Sequence, residues 1–150
     1  MTRLHIHISV DDLDPSIRFY SALFDQDPSV TKADYAKWEV ADPSVNLSIS
    51  RRDGRVAGIN HLGVQAETDD ELAELHTRLR SADVATADEV GANCCYARSD
   101  KHWAEDPQGV IWEMFHTLSG STTYGDDHAP DPHAATPASP PEAEIQASCC

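Results

Sequence analysis

The order strand, helix, strands is written twice in this chain, and that repeat limits the fold more than any other feature. Leu4–Val10 alternates apolar and polar residues as a half-buried strand does. Asp11, Asp12 and Asp14, with Pro15 at an early position, then open a helix. Ile17, Tyr20 and Phe24 mark its apolar stripe. Tyr35–Val40 and Val45–Ser50 read as strands with a turn at Asp42-Pro43, and Arg51–Arg55 is a polar loop around Gly54. The order then restarts. Ile59–Ala66 is a strand, Thr68–Glu71 caps a helix, and Leu72, Leu75 and Leu79 repeat the first stripe 55 residues later. Asn93–Arg98 and Val110–His116 are further strands. The connection between them, Ser99–Gly109, has the length of a lid or of a plain connector. Two βαβββ modules, about residues 3–55 and 58–118, predict an α+β domain: a curved, largely antiparallel sheet with helices on its outer face.

The faces of these strands carry the candidate chemistry, because successive side chains point to opposite sides. In the first strand Leu4, Ile6, Ile8 and Val10 share an apolar face, and His5, His7 and Ser9 the other. In the strand that opens the second module, His61, Gly63 and Gln65 lie opposite Leu62, Val64 and Ala66. In Val110–His116, Ile111, Glu113 and Phe115 share one side. A curved sheet lets His5, His61 and Glu113 converge on its concave side. Two neutral imidazoles and one carboxylate, with positions left open, suit Fe(II), and manganese, nickel or zinc can occupy such a set. His7 shares the face of His5 and competes with it. His76, His102, His128 and His133 read as surface residues.

Charge and cysteine usage narrow the partners. The 150 residues hold 26 acidic and 11 basic side chains, a formal net charge of -15. A surface this negative repels nucleic-acid phosphates and anionic lipid. No apolar run approaches the roughly 20 residues that span a bilayer. The first residues lack the apolar core of a signal peptide, so the expected location is the cytoplasm. There the four cysteines, Cys94-Cys95 and Cys149-Cys150, are expected as thiols. Adjacent cysteines do not have the spacing of a zinc knuckle. They are vicinal dithiols, ligands for a thiophilic ion. Beyond Leu118 the composition shifts to Pro, Gly and acids with no Lys or Arg, and residues 119–150 read as a disordered acidic tail.

Three segments resemble the vicinal oxygen chelate (glyoxalase/bleomycin resistance/dioxygenase) superfamily. They are His5–Leu13 with Ser16 and Phe19-Tyr20, Gly58–Val64, and Asp106–Glu113. The resemblance covers about residues 3–118, and it implies the paired βαβββ fold and a metal at His5, His61 and Glu113. A narrower likeness lies in Asp34–Trp38, Asn93–Ala97 and Asp100–Trp103. These look like the ArsI carbon–arsenic lyases and the similar cadmium-induced CadI proteins. That resemblance implies a non-haem Fe(II) dioxygenase that uses O2 to convert trivalent methyl- and arylarsenicals to arsenite. Some relatives have Gln where this chain has His5. Other superfamily activities are less well served. Asn46–Ser50 lacks the carboxylate that glyoxalase I sites take from this strand. A fosfomycin-type thiol transferase needs a cationic anion pocket, which Lys101 and Arg98 supply only in part.

On this reading Cys94 and Cys95 hold the substrate by its arsenic and present its carbon to the metal. Lys101 favours the thiolate form of the cysteines. Tyr96, Trp103 and Trp38 are candidate walls for aromatic arsenicals. One geometric objection stands: neighbours on a strand point to opposite faces, so both thiols reach one pocket only if the strand is distorted there. The competing reading is a cadmium- or arsenite-sequestering protein that uses the same dithiols without catalysis. One complete site per chain permits a monomer or a homodimer.

Overall fold

The computed structural model describes residues 2–125, so residues 126–150 of the expected tail, including Cys149 and Cys150, lie outside the described residues. The elements follow the order β1 (Arg3–Ser9), α1 (Leu13–Phe24), β2 (Val30–Lys32), β3 (Tyr35–Val40), β4 (Val45–Ser50), β5 (Gly58–Ala66), α2 (Asp69–Ser81), β6 (Ala87–Cys94), β7 (Ala97–Glu105) and β8 (Ile111–Gly120). All eight strands form one mixed sheet in the order β2-β3-β4-β1-β5-β8-β7-β6. The order reads the same from either edge once β1 is matched to β5, β4 to β8, β3 to β7 and β2 to β6. The duplication is therefore physical. β1 lies parallel to β4 and β5 parallel to β8, and the remaining neighbours are antiparallel.

The helices start where the sequence places their caps. Asp12 accepts a hydrogen bond from the Asp14 N–H at α1, and Thr68 one from the Glu71 N–H at α2. Each helix lays its stripe on the outer face of its own module. Ile17, Tyr20 and Phe24 pack on Trp38, Val40, Leu47 and Ile49. Leu72, Leu75 and Leu79 pack on Ala66, Ala104 and Met114. Trp38 is fully buried in the first of these cores, and its Nε1–H donates to the Gln26 carbonyl at 3.1 Å. It is a core residue, not a wall of the site.

The inner side of the curl is the unusual part. His5, His7, Ser9, Asn46, Ser48, Ser50, His61, Ser99, Lys101 and Glu113 are all buried. Burying polar groups is costly unless each is paired, so a polar interior of this size marks a site rather than a plain core.

Several sequence expectations are corrected. The connection Ser99–Gly109 is not a lid: Ser99–Glu105 belongs to β7, and only the turn at residues 106–110 joins it to β8. Its alternation of small, polar and aromatic residues hides a strand with one polar face. His102, expected in a loop, sits in β7. The short edge strand β2 has too few residues to show a period. The boundary at Leu118 falls inside β8, and Gly125, the last described residue, bridges back to Cys94. Tyr124 is buried there, and the Ser121 N–H donates to the Tyr96 carbonyl at 2.7 Å.

A candidate metal centre beside two thiols

Register brings the three expected ligands together. His5 on β1 stands opposite Gly63 on β5, and Gly63 stands opposite Glu113 on β8. Gly63 carries no side chain because none fits: a Cβ there would lie 2.2 Å from the Glu113 carbonyl oxygen. His61 faces the same side two residues earlier. The unbroken register from Arg3 sets His61 opposite His7, and a shift just beyond that pair leaves Asn60 without a cross-strand position.

The reacting atoms form a nearly regular triangle. His5 Nε2 lies 3.2 Å from His61 Nε2, and Glu113 Oε2 lies 3.5 Å from the former and 3.3 Å from the latter. A point equidistant from three atoms so spaced is about 2 Å from each, the length of a metal–nitrogen or metal–carboxylate bond. The orientation of each imidazole is fixed from behind. His5 Nδ1–H donates to the Asn46 carbonyl at 3.1 Å, and His61 Nδ1–H donates to Asn60 Oδ1 at 2.8 Å. A carbonyl oxygen only accepts, so each proton sits on Nδ1 and each Nε2 turns a lone pair inward. Burial lowers the His5 pKa to about 4, which keeps that ring neutral near pH 7. Two lone pairs and a carboxylate oxygen in mutual contact repel one another. A divalent cation between them removes the repulsion, so the donor set fits a metal.

Lys101 faces the same interior from β7. Its ammonium donates to Glu113 Oε1 at 2.5 Å and leaves Oε2 for the triangle. Burial alone would push the Lys101 pKa down, but Glu113 and the two cysteines beside it raise it above its ordinary value. Burial would push Glu113 up, but the Lys101 charge holds it well below the usual carboxylate range. The lysine is thus charged and committed to Glu113. Its expected action on the thiols is overridden: the hydrogen bond with Cys95 and burial both raise the Cys94 thiol pKa.

The two thiols do reach one cavity, and a turn rather than a strand distortion is the reason. β6 ends at Cys94, and Cys95 and Tyr96 both adopt left-handed backbone, φ 59° and 60°. This is the conformation of a two-residue hairpin loop, which non-glycine residues adopt only at a cost of about 1–3 kcal/mol each. The chain reverses at Cys95, so its thiol swings back over Cys94, and the sulfurs lie 2.6 Å apart. Tyr96 does not line the cavity. It turns outward, and its hydroxyl donates to Asp34 Oδ1 at 2.5 Å. Tyr35 takes the wall position instead, with its hydroxyl 2.8 Å from Ser48 Oγ.

The enclosed space measures about 40 Å³ and is bounded by His5, His61, Glu113, Lys101, Cys94 and Cys95, with Tyr35 and Phe115 among its walls. A larger apolar hollow of about 460 Å³ lies on the other side of the sheet beneath α2. It holds no imidazole or thiol, so the chemistry belongs to the smaller space. Trp103 sets its ring edge-on to His61, 5.3 Å between centroids, and its Nε1–H donates to Glu89. His7 also faces inward. Its Nε2 bonds Ser50 Oγ at 2.8 Å, and its Nδ1 is buried with no hydrogen-bond partner among the described residues. Its imidazole and those of His5 and His61 offer nitrogens within 4.8 Å of one another, but only Glu113 closes the tighter triangle. Sequence reasoning missed Asn46, Asn60, Tyr35 and Ser48. Asn60, directly before His61, was the one with a local signal.

Known proteins share this plan. The sequence profile of the Glyoxalase/Bleomycin resistance protein/Dioxygenase superfamily matches residues 2–114. A "Cadmium-induced protein CadI" from Mycobacterium tuberculosis is 37% identical over 125 residues, 83% of this chain and 82% of the relative. A "Trivalent organoarsenical cleaving enzyme" from a Bacillus species is 38% identical over 120 residues, 78% of this chain and 74% of the relative. An extradiol ring-cleaving dioxygenase from B. fuscum superposes with a TM-score of 0.56 at 18% identity, over 79% of this chain and 33% of the larger protein, which is a likeness of fold alone. Among the described residues no helix is long and apolar enough to cross a membrane. With a duplicated βαβββ sheet curled around a two-histidine, one-carboxylate cluster, this chain belongs to the glyoxalase/bleomycin resistance protein/dioxygenase superfamily, in the branch that contains the trivalent organoarsenical cleaving enzymes and CadI.

Proposed function

We propose that the protein cleaves the carbon–arsenic bond of trivalent organoarsenicals to give arsenite, with O2 as oxidant and Fe(II) held by His5, His61 and Glu113. The observation that carries this reading is the convergence of the Cys94 and Cys95 thiols on the cavity that holds the His/His/Glu triangle. It is supported by the organoarsenical-cleaving relatives. Fe(II), when bound, supplies a centre at which O2 is activated.

The chain's own residues do the rest. Each thiol displaces one oxygen ligand of the arsenic, and its proton leaves with that ligand as water. The raised Cys94 pKa does not obstruct this exchange, because no free thiolate has to accumulate. Two As–S bonds would hold the arsenic and leave its carbon substituent facing His5, His61 and Glu113, so that its reaction with O2 is effectively intramolecular. One O2 balances the break: one oxygen atom leaves with the carbon, as formaldehyde from a methyl group, and the other completes the third As–O bond of arsenite. By occupying Oε1, Lys101 leaves Glu113 Oε2 facing His5 and His61, where it would hold the metal with them. The small volume excludes bulk water, and the Tyr35 phenol, kept neutral by burial and by the nearby Cys95, closes one wall without adding charge.

The test is direct. Apoprotein is loaded anaerobically with Fe(II), given trivalent methylarsenic and O2, and the arsenic species are followed. Arsenite is expected in the loaded sample. Arsenite no higher than in the metal-free control rejects the proposal. Glu113→Ala is expected to lose turnover while the dithiol still binds arsenic. A second reading is sequestration of cadmium or arsenite, favoured by the paired sulfurs and by relatives named for cadmium induction. Stoichiometric cadmium binding that survives Glu113→Ala, with no turnover by the unsubstituted protein, supports it.

A further inference from the structure

We propose that His76, Asp88 and His102 form a second metal site, for a borderline divalent ion such as Ni(II) or Zn(II), on the opposite face of the sheet from the His/His/Glu cluster. His102 follows Lys101 in β7, so its side chain points to the helix-covered side while Lys101 points into the curl. Asp88 is its direct cross-strand neighbour on the edge strand β6, and His76 reaches down from α2. Three elements thus contribute one ligand each.

The geometry gathers the donors around one point. Asp88 Oδ1 lies 2.7 Å from His102 Nδ1 and 3.6 Å from His76 Nε2. The two imidazoles stack with their centroids 3.8 Å apart and their planes 15° from parallel, so both present a nitrogen to the same carboxylate oxygen. The His76 separation is too long for a hydrogen bond and is suited to an interposed ion. His76 Nε2 has one other contact, the Thr86 hydroxyl at 3.0 Å, which can rotate away.

The donor set also selects the ion. Two imidazoles and a carboxylate suit nickel, zinc and copper, whereas arsenic and cadmium prefer the sulfurs of the inner cavity. His76 and His102 also line a solvent groove of about 290 Å³ that carries Asp69, Glu89 and Asp100 as well as Lys101. The strongly negative net charge further favours a cation here. An ion at this point ties α2 to the β6–β7 hairpin, whose far end presents Cys94 and Cys95.

The test is a ¹H–¹⁵N spectrum of the full chain during addition of Ni(II), whose paramagnetism broadens nearby amides. Residues 74–78 and 86–88 are read, because they lie on α2 and at the entry to β6, away from the inner cluster. Their amides are expected to broaden within two equivalents, in the unsubstituted protein and in Glu113→Ala alike. His102→Ala and Asp88→Asn are expected to abolish that broadening or shift it to at least about tenfold higher Ni(II). Asp88 is solvent-exposed, so the second variant folds even if the first does not. No broadening at these residues, or broadening unchanged in Asp88→Asn, overturns the proposal.

Discussion

The ammonium of Lys101 and the carboxylate of Glu113 form a buried ion pair, Nζ to Oε1 at 2.5 Å, with both side chains at most 5% exposed. The pair crosses from β7 to β8 and leaves the second carboxylate oxygen directed at His5 and His61. On the proposed function one residue would serve two cations: the permanent one of Lys101, and a divalent ion held with His5 and His61.

Lys101→Met removes the permanent cation and leaves Glu113 buried beside the His5 and His61 imidazoles. Loss of one member of a buried pair costs about 3–5 kcal/mol. We expect a loss of that size in the metal-free protein by chemical denaturation. Added divalent metal supplies the missing charge, so the difference between variant and unsubstituted protein should shrink when both are measured with metal. An equal loss in both states would show that Lys101 acts independently of the metal.

Asn60→Leu removes the acceptor behind His61 Nδ1. The imidazole then has no fixed tautomer, and metal affinity is expected to fall by about 10- to 100-fold. Anaerobic equilibrium dialysis of Fe(II) measures it. Asn60→Asp keeps an acceptor there and is expected to retain binding.

Cys94→Ser and Cys95→Ser each convert a chelate into a single As–S attachment. Binding of trivalent methylarsenic is expected to weaken by at least about 100-fold in either variant, since the second bond forms intramolecularly. Fe(II) binding should change little. Tyr96→Phe, which loses the hydrogen bond that anchors the strained turn to Asp34, is expected to weaken arsenic binding less than either serine variant. Calorimetric titration distinguishes the three.

Gly63→Ala tests the close approach of β5 and β8. The added methyl would meet backbone, which cannot swing aside as a side chain can. Destabilisation of about 3 kcal/mol or more is expected, at the upper end of what overpacking costs. Metal affinity should fall with it, because separating the strands moves His61 from Glu113. Thermal melting with and without metal reports both effects.

Local periodicity determined much of this protein. Alternation along a strand is a property of the backbone alone, so Leu4–Val10, Ile59–Ala66 and Val110–His116 place His5, His61 and Glu113 on definite faces before any neighbour is known. The repeated helix stripe, 55 residues on, determined that those strands come from two equivalent modules, and the superfamily match agrees. Tertiary structure decided what depends on register and on turn handedness. The pairing of β1 with β5 set His61 against His7, and two left-handed residues folded Cys95 back over Cys94. β7 looked like a connector because its inward residues, Ser99, Lys101 and Trp103, are polar or amphipathic. Such residues are buried only where another part of the chain neutralises or caps them, as Glu113 does for Lys101, and a partner that is distant in sequence leaves no local pattern to read.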